Sequence, residues 1–228
     1  MTIKAIVTDI EGTTGSISFV HETLFPYART HLPDFIREHA TQPAIAEQLD
    51  AVRQEIGQPD ANTETVIEQL LNWIAEDKKI TPLKALQGLV WENGYKTEAY
   101  KGHLYPDAFQ KLSDWQQQGI RLFIYSSGSV YAQKLLFGYS DFGDLNHLFE
   151  GNFDTLIGGK KDVASYQAIA EQLDLPAQEI LFLSDVIAEL DAAQAAGLKT
   201  THLIREPGME TGEHPQVSRF DQIDLTAF

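Results

Sequence analysis

The sequence predicts an α/β fold, a doubly wound parallel sheet with a helical cap inserted after the first strand. Five short apolar segments, rich in β-branched and aromatic residues, have the composition of buried strands. Helical patterns separate the later segments, and strands that alternate with helices are typical of a parallel sheet. The stretch from Gly15 to Gly102 contains several amphipathic patterns and no convincing strand, and therefore predicts a separate helical domain.

The first strand and the helical insertion follow one another directly. The segment Lys4-Ala-Ile-Val-Thr8 is short and β-branched, and it ends abruptly at a loop that begins with Asp9. Two patterns in the insertion have clear helical spacing: Ile45, Leu49, Val52 and Ile56, and then Val66, Leu70 and Ile74. We therefore divide the chain into an α/β core, residues 1–15 and 103–228, and a helical cap domain, residues 16–102.

The second half of the chain predicts four further strands with helices between them. The strands lie at Arg121–Tyr125, in the less regular region 149–157, at Ile180–Leu183 and at Lys199–Ile204. Helices are predicted from Pro106, from Val130, around Tyr166–Leu173 and over Ile187–Ala196, with Gly197 as the expected C-cap.

The composition narrows the range of functions. A chain of 228 residues, 43% of them hydrophobic, can bury a sizeable core. A formal net charge of -16 would repel nucleic acid, so we expect no nucleic-acid partner. An anionic small substrate would need a local cation, either a metal ion or a buried lysine. The chain has no cysteine, which excludes disulfides, thiolate catalysis and cysteine-bound metals.

The hydropathy pattern indicates no membrane partner. No segment approaches the roughly 18 consecutive apolar residues of a membrane span, and the first residues lack the basic and then apolar pattern of a signal peptide. We therefore expect a cytoplasmic protein. No pattern indicates assembly, and we expect a monomer.

Polar residues follow four of the predicted strands. They are Asp9 and Glu11 after the first, Ser126–Ser129 after the second, Gly158–Lys161 after the third, and Ser184 with Asp185 after the fourth. Because the carboxyl ends of parallel strands meet in one crevice, we expect these residues to lie close together. Carboxylates, hydroxyls and a lysine form a set suited to phosphoryl transfer.

Charge suggests a role for each of these residues. A carboxylate that attacks a phosphate monoester is repelled by it, so a hard cation such as Mg²⁺ must neutralise both. Asp9 is the expected nucleophile, and Asp9 and Asp185 are natural metal ligands. A lysine and Ser126 would bind phosphoryl oxygens. Glu11, two residues beyond Asp9, can reach the leaving-group oxygen as general acid and base.

The same residues resemble the four motifs of the haloacid dehalogenase superfamily, which occur in the order Asp9-x-Glu11, Ser126, Lys160 and Ser184-Asp185. The similarity is closer to the enolase-phosphatase (acireductone synthase) family of methionine salvage. Its phrases are Val7-Thr-Asp-Ile-Glu-Gly-Thr-Thr14, Leu24-Phe-Pro-Tyr-Ala28, Tyr125-Ser-Ser-Gly-Ser-Val130 with Gln133-Lys-Leu-Leu-Phe-Gly138, and Leu181-Phe-Leu-Ser-Asp185. Glu at the second position of the first motif, where most superfamily phosphatases carry Asp, is the narrower marker.

The resemblance implies a haloacid dehalogenase-like core and a Mg²⁺-dependent enzyme with two reactions. It would convert 2,3-diketo-5-methylthiopentyl 1-phosphate to an enol and then release phosphate to give the acireductone. When the functional residues of the family are transferred to this sequence, the metal ligands are Asp9, Glu11 and Asp185, and the substrate contacts are Ser126, Ser127 and Lys160. Glu11 can bind the metal through its side chain or its backbone. Lys161, next to Lys160, is an alternative for the lysine.

Two other functions are compatible with these motifs. Another capped phosphatase of the superfamily would act on a sugar phosphate or phosphoglycolate, because the core chemistry does not define the leaving group. A receiver-like signalling module also carries an acceptor Asp, a hydroxyl and a lysine, although it needs neither Glu11 nor a cap. The sequence does not show which cap residue, among them Tyr27, Trp73 and Trp91, would contact the methylthio tail.

Other polar residues have structural interpretations. Glu189 and Asp191 are expected to interact favourably with the dipole of a helix N-terminus. Ser129 is placed to cap the helix from Val130. No histidine pair has metal-ligand spacing. Gly158-Gly-Lys-Lys161 lacks the spacing and the Ser/Thr of a nucleotide P-loop.

Overall fold

The computed structural model describes residues 2–228, which form two compact units. The first unit combines the segment up to Ile17 with Gly102–Phe228, and the second is Ser18–Lys101. The first unit contains the sheet and every strand-end residue discussed above. The second is helical.

The first unit is built on a six-stranded sheet in which every neighbouring pair of strands is parallel. The strand order is β3-β2-β1-β4-β5-β6. The strands are β1 (Ala5–Thr8), β2 (Arg121–Tyr125), β3 (Gly151–Phe153), β4 (Ile180–Ser184), β5 (Lys199–Leu203) and β6 (Gln216–Val217). The predicted fold class, α/β with a doubly wound parallel sheet, is confirmed. The sequence did not predict β6, and only three residues of the irregular region 149–157 form a strand.

Of the eight longer helices within residues 2–228, the first four follow one another in the second unit, and the last four alternate with the strands as predicted. The helices are α1 (Phe25–His39), α2 (Pro43–Glu55), α3 (Thr63–Ala75), α4 (Thr81–Lys96), α5 (Pro106–Gln117), α6 (Val130–Gly138), α7 (Val163–Leu173) and α8 (Ile187–Ala195). Pro106 lies in the first turn of α5, where its missing N–H is tolerated. Ser129 Oγ caps α6 by accepting from Ala132 N. After α8, Gly197 adopts φ +94°, as the predicted C-cap requires.

The register of the central strands sets the position of the site. Thr8, the last residue of β1, pairs with Ile124 on β2 and with Leu183 on β4. The residues that follow these strands therefore emerge at the same edge of the sheet. Asp9 N continues the ladder by donating to Leu183 O at 2.9 Å.

Apolar residues of the strands pack against α7 and α8, and this cluster stabilises the part of the sheet that carries the site. Ala5, Val7 and Phe182 lie in one buried cluster with Tyr166 from α7 and Leu190 from α8. Strands that are buried this way carry continuous apolar runs, which explains why they were recognisable in the sequence.

The second unit has its own core. The apolar residues of α2 and α3 that had helical spacing, from Ile45 to Val52 and from Val66 to Ile74, are buried against one another. Leu32 of α1 and Leu86 of α4 complete the same cluster. Ahead of α1, Val20–Leu24 forms a π-helical turn. Across residues 2–228, the helices are too short or too polar to cross a bilayer.

Candidate active site

The predicted nucleophile and the predicted lysine form a buried ion pair. Lys160 Nζ lies 2.6 Å from Asp9 Oδ1 and 2.7 Å from Glu189 Oε2. Their side chains are 7%, 3% and 10% exposed for Lys160, Asp9 and Glu189 respectively. Burial alone would lower the pKa of the ammonium, but the two carboxylates outweigh it and raise that pKa. Lys160 is therefore a fixed cation beside Asp9.

The loop that carries Lys160 is anchored by two tyrosines. Tyr166 OH donates to Lys160 O at 2.6 Å, and Tyr125 OH donates to Gly158 O at 3.1 Å. Gly158 has φ +137°, and a side chain there would collide with Ser165 Oγ, so the tight approach requires glycine. Lys161 is exposed, whereas Lys160 is buried. The structure thus places Lys160, not Lys161, beside Asp9.

Glu11 and Ser126 form a second pair at this edge. Ser126 Oγ lies 3.0 Å from Glu11 Oε2 and donates to that carboxylate. Desolvation raises the pKa of Glu11, and the negative charge of Asp9 raises it further. Glu11 therefore holds a proton at a higher pH than an exposed glutamate, as a general acid requires.

The Asp185 carboxyl group lies against the loop after β1. Gly12, which has φ +73°, faces Asp185 Oδ2 so closely that a side chain at this position would collide with it. Asp185 Oδ1 is buried and has no hydrogen-bond partner among residues 2–228. Burial and the charge of Asp9 raise the pKa of Asp185 to about 7. His202 Nε2 lies 3.0 Å from Asp185 O and holds its backbone.

The carboxyl groups that lie at this edge of the sheet form a site that fits a hard cation. Lys160 is the only basic residue in the described chain that forms an ion pair with Asp9, Glu11, Asp185 or Glu189. No group of three acidic or histidine side chains within residues 2–228 is arranged as a ligand set. Two carboxylates with a backbone carbonyl and waters would be the matching donor set. The hydrogen bond from Ser126 to the Glu11 side chain agrees with a backbone role for Glu11.

The loop after β2 is held by hydrogen bonds among its own groups. Ser126 Oγ accepts from Gly128 N at 3.1 Å, and Gln133 Nε2 donates to Gly128 O at 2.9 Å. Ser127 is half-buried, and the structure shows no hydrogen bond from it to the other site residues described here. Ser129 is used as the helix cap.

Glu189 lies in the first turn of α8, as its interpretation as a helix N-terminal acid predicts. Its carboxylate also pairs with Lys160 and accepts from Ser184 Oγ at 3.0 Å, a role that was not predicted from the sequence. Asp191, which was given the same interpretation, lies beyond the first turn; its side chain is 65% exposed and lies 3.0 Å from His214 Nε2. The available signal in the sequence for a place in the site was that Glu189 lies four residues after Asp185.

Comparisons with known proteins agree with this geometry. A family model described as haloacid dehalogenase-like hydrolase matches residues 3–197. The chain is 59% identical, over the full length of both proteins, to enolase-phosphatase E1 of Pseudomonas syringae pv. syringae. It is 59% identical over 98% of its length to enolase-phosphatase E1 of Pseudomonas aeruginosa, strain LESB58, covering 99% of that protein. The chain belongs to the enolase-phosphatase E1 family, within the haloacid dehalogenase-like hydrolases. It is therefore an enzyme of the phosphatase class.

Solved structures share the fold of this chain. The UTR4 protein of Saccharomyces cerevisiae is 35% identical, with a TM-score of 0.78, and the match covers 97% of this chain and all of that one. The haloacid dehalogenase-superfamily hydrolase YfnB of Bacillus subtilis is 15% identical, with a TM-score of 0.60, over 97% of this chain and 96% of that one. The latter shows the shared fold. The resemblance to the enolase-phosphatase family that the motifs indicated is confirmed, and a receiver-like module is not supported.

Proposed function

We propose that this enolase-phosphatase E1 family member uses Mg²⁺ to convert 2,3-diketo-5-methylthiopentyl 1-phosphate first to the enol and then to the acireductone and phosphate. The observation that carries the proposal is the buried contact between Asp9 and Lys160 at the carboxyl end of β1. Asp185 beside Gly12 supplies a second carboxylate at the same edge. The relatives supply the choice of substrate, through the family name that they share.

Phosphate removal would use Asp9 as the nucleophile. Lys160 occupies Asp9 Oδ1, which leaves Oδ2 to attack phosphorus. The bond from phosphorus to the substrate oxygen breaks, and a protonated Glu11 supplies the proton to that oxygen. Water then hydrolyses the aspartyl phosphate and regenerates Asp9. Ser126 and Ser127, with N–H groups of their loop, would bind phosphoryl oxygens.

Enolisation would use the Glu11 carboxyl group again. An ionised Glu11 takes the proton from the carbon next to the substrate carbonyl, and it can return a proton to the carbonyl oxygen as the enol forms. Its longer side chain reaches further than an aspartate would. Burial favours the protonated form of Glu11 that the phosphoryl step needs. Glu11 would therefore serve both consecutive reactions, and Asp9 would serve as nucleophile in the second.

Bound Mg²⁺ would neutralise the carboxylates and polarise the carbonyl and phosphoryl oxygens. Asp9 and Asp185 would hold it through their side chains, and Glu11 through its backbone. The first unit would carry all of this chemistry. The cap role of the helical unit, the cytoplasmic location and the monomeric state stay predictions.

The test is conversion of the diketone phosphate with and without Mg²⁺, in which absorbance of the enol and released phosphate are followed together. We expect both signals only when Mg²⁺ is present. Rapid turnover of a panel of sugar phosphates, with no conversion of the diketone, would instead indicate another capped phosphatase. Glu11→Gln tests the assignment of the proton-transfer group, because full enolisation by that variant in a single turnover would refute it.

A further inference from the structure

Arg205, just after β5, is buried and binds the loop that follows β1. Its Nε and Nη2 atoms donate to the same acceptor, Thr13 O, at 3.0 and 2.8 Å. Its Nη1 atom donates to Asp107 Oδ2 at 2.8 Å. The guanidinium carbon lies 4.1 Å from the centre of the Tyr105 ring, and the side chain is only 4% exposed. A planar fork stacked on an aromatic ring is an arrangement that lysine cannot reproduce.

Arg205 holds the loop after β1 through the backbone carbonyl group of Thr13. Gly12, one neighbour of Thr13, faces the Asp185 carboxyl group. The other neighbour, Thr14, donates from Oγ1 to Asp9 O at 3.1 Å. Within the same turn, Thr13 N donates to Ile10 O at 3.1 Å. A displacement of Thr13 would therefore move the backbone around Asp9 and its distance from Asp185.

On its other side, the Arg205 guanidinium group is held by Asp107 and by the C-terminal segment. Asp107, in the first turn of α5, also accepts from Phe220 N at 2.8 Å. Arg205 Nη1 additionally donates to Ser218 O at 3.1 Å. The guanidinium group thus joins the loop after β1 to α5 and to the C-terminal segment. Arg205 lies beyond residue 197, where the match to the general family model ends.

We propose that Arg205 is a positioning residue, which fixes the loop of Asp9 and Glu11 in the geometry needed to bind Mg²⁺ and to attack phosphate. The proposal rests on the proposed function. Arg205 acts through the Thr13 carbonyl and the loop backbone. Small displacements of reacting groups reduce rates steeply, by about 100-fold for an error near 1 Å.

The test compares Arg205→Lys with Arg121→Lys. Arg121 is the control because it also binds a carboxylate and a carbonyl, Glu150 Oε2 at 2.7 Å and Leu173 O at 2.8 Å, although its side chain is 36% exposed and lies at the start of β2. We expect Arg205→Lys to lower kcat by about 10- to 100-fold with a smaller change in KM. The Mg²⁺ concentration for half-maximal effect should rise several-fold. Arg121→Lys should stay within about twofold of the wild type.

The second readout does not depend on turnover. Mg²⁺ raises the melting temperature of a protein that binds it in the folded state, so the shift reports binding directly. We expect a smaller Mg²⁺-induced shift for Arg205→Lys than for the wild type and Arg121→Lys. Arg205→Gln, which lacks the charge, should show a larger loss. If Arg205→Gln does not fold, the measurements on Arg205→Lys decide the test.

Two results would overturn the proposal. One is a folded Arg205→Lys protein with wild-type kcat and Mg²⁺ affinity. The other is an equal loss in Arg205→Lys and Arg121→Lys, which would mean general destabilisation. Failure of the proposed function is a different result, because the wild-type protein itself would then not convert the diketone phosphate.

Discussion

Lys160 Nζ lies 2.6 Å from Asp9 Oδ1, and the two side chains are buried together although they follow different strands of the sheet. The lysine is shared, because Glu189 contacts the same ammonium group. One cation therefore serves two buried carboxylates. The two carboxylates raise the pKa of Lys160, whereas burial and the negative charge of Asp9 raise the pKa of Glu189 although Lys160 acts in the opposite direction.

Removal of the shared cation should damage both folding and activity. Lys160→Met would leave the Asp9 and Glu189 carboxylates buried without a cation, and loss of one member of a buried ion pair costs about 3–5 kcal/mol. Urea unfolding without Mg²⁺ should show this loss, and phosphate release should disappear. Lys161→Met is the control. Because Lys161 is exposed, its variant should keep the wild-type unfolding midpoint and activity, and the opposite pattern would reassign the lysine.

Glu189 should matter for activity although the sequence suggested only an interaction with a helix dipole. Glu189→Gln keeps an acceptor for Ser184 Oγ but removes the charge that holds Lys160. Residues that orient active-site groups in this way affect activity by about 10- to 100-fold, and we expect a fall of that size in kcat. Asp191→Asn, on the same helix but exposed, should leave kcat unchanged. Equal kcat values for the two variants would contradict this role.

The strand-end residues could be predicted because strands and loops have local signatures. Buried parallel strands are continuous apolar runs, and Asp9, Ser126 and Asp185 follow such runs directly. The topology then brings them to one edge without further information. Lys160 was harder, because β3 is only Gly151–Phe153 and several residues separate it from the lysine.

The features that were missed depend on tertiary contacts. α8 is composed largely of small and apolar residues, so its sequence does not show which face is buried, and Glu189 could not be placed. β6 has two residues and forms only by pairing with the edge of β5. Arg205 binds Thr13, which lies far away in the sequence, and no local sequence pattern predicts such a contact.

The pH dependence of stability should report Glu189. Burial and the Asp9 charge raise the pKa of Glu189 to about 7, above the value of about 4.3 for an exposed glutamate. Between these values the folded protein binds more protons than the unfolded chain, so stability falls as pH rises. Without Mg²⁺, we expect this carboxyl group to lower the free energy of unfolding by about 2 kcal/mol between pH 5 and pH 8.

The matching variant is Glu189→Gln, measured by urea unfolding across that pH range. Its stability should fall less steeply with pH than that of the wild type. Some slope should remain, because the pKa of Asp185 is also raised to about 7. Identical slopes for the two proteins would show that Glu189 is ionised in the folded state throughout the range.

Asp185 should be needed for Mg²⁺ binding but not for folding. Its Oδ1 atom is buried without a hydrogen bond, so the ionised carboxylate is unfavourable in the metal-free protein. Asp185→Asn should therefore melt no lower than the wild type without Mg²⁺. Its melting temperature should no longer rise when Mg²⁺ is added, whereas the wild-type value rises with concentration. A full Mg²⁺-induced shift in Asp185→Asn would exclude this residue as a ligand.

The two half-reactions should separate in Asp9→Asn. The amide cannot attack phosphorus, so phosphate release should fall by more than about 1,000-fold. Glu11 and its hydrogen bond from Ser126 stay in place, so some enol formation can continue. The measurement is a single turnover of the diketone phosphate, with enol absorbance and free phosphate recorded together. Enol accumulation without phosphate is the expected result, because the nucleophile is needed only for the second reaction. Phosphate release at the wild-type rate would remove Asp9 from the role of nucleophile.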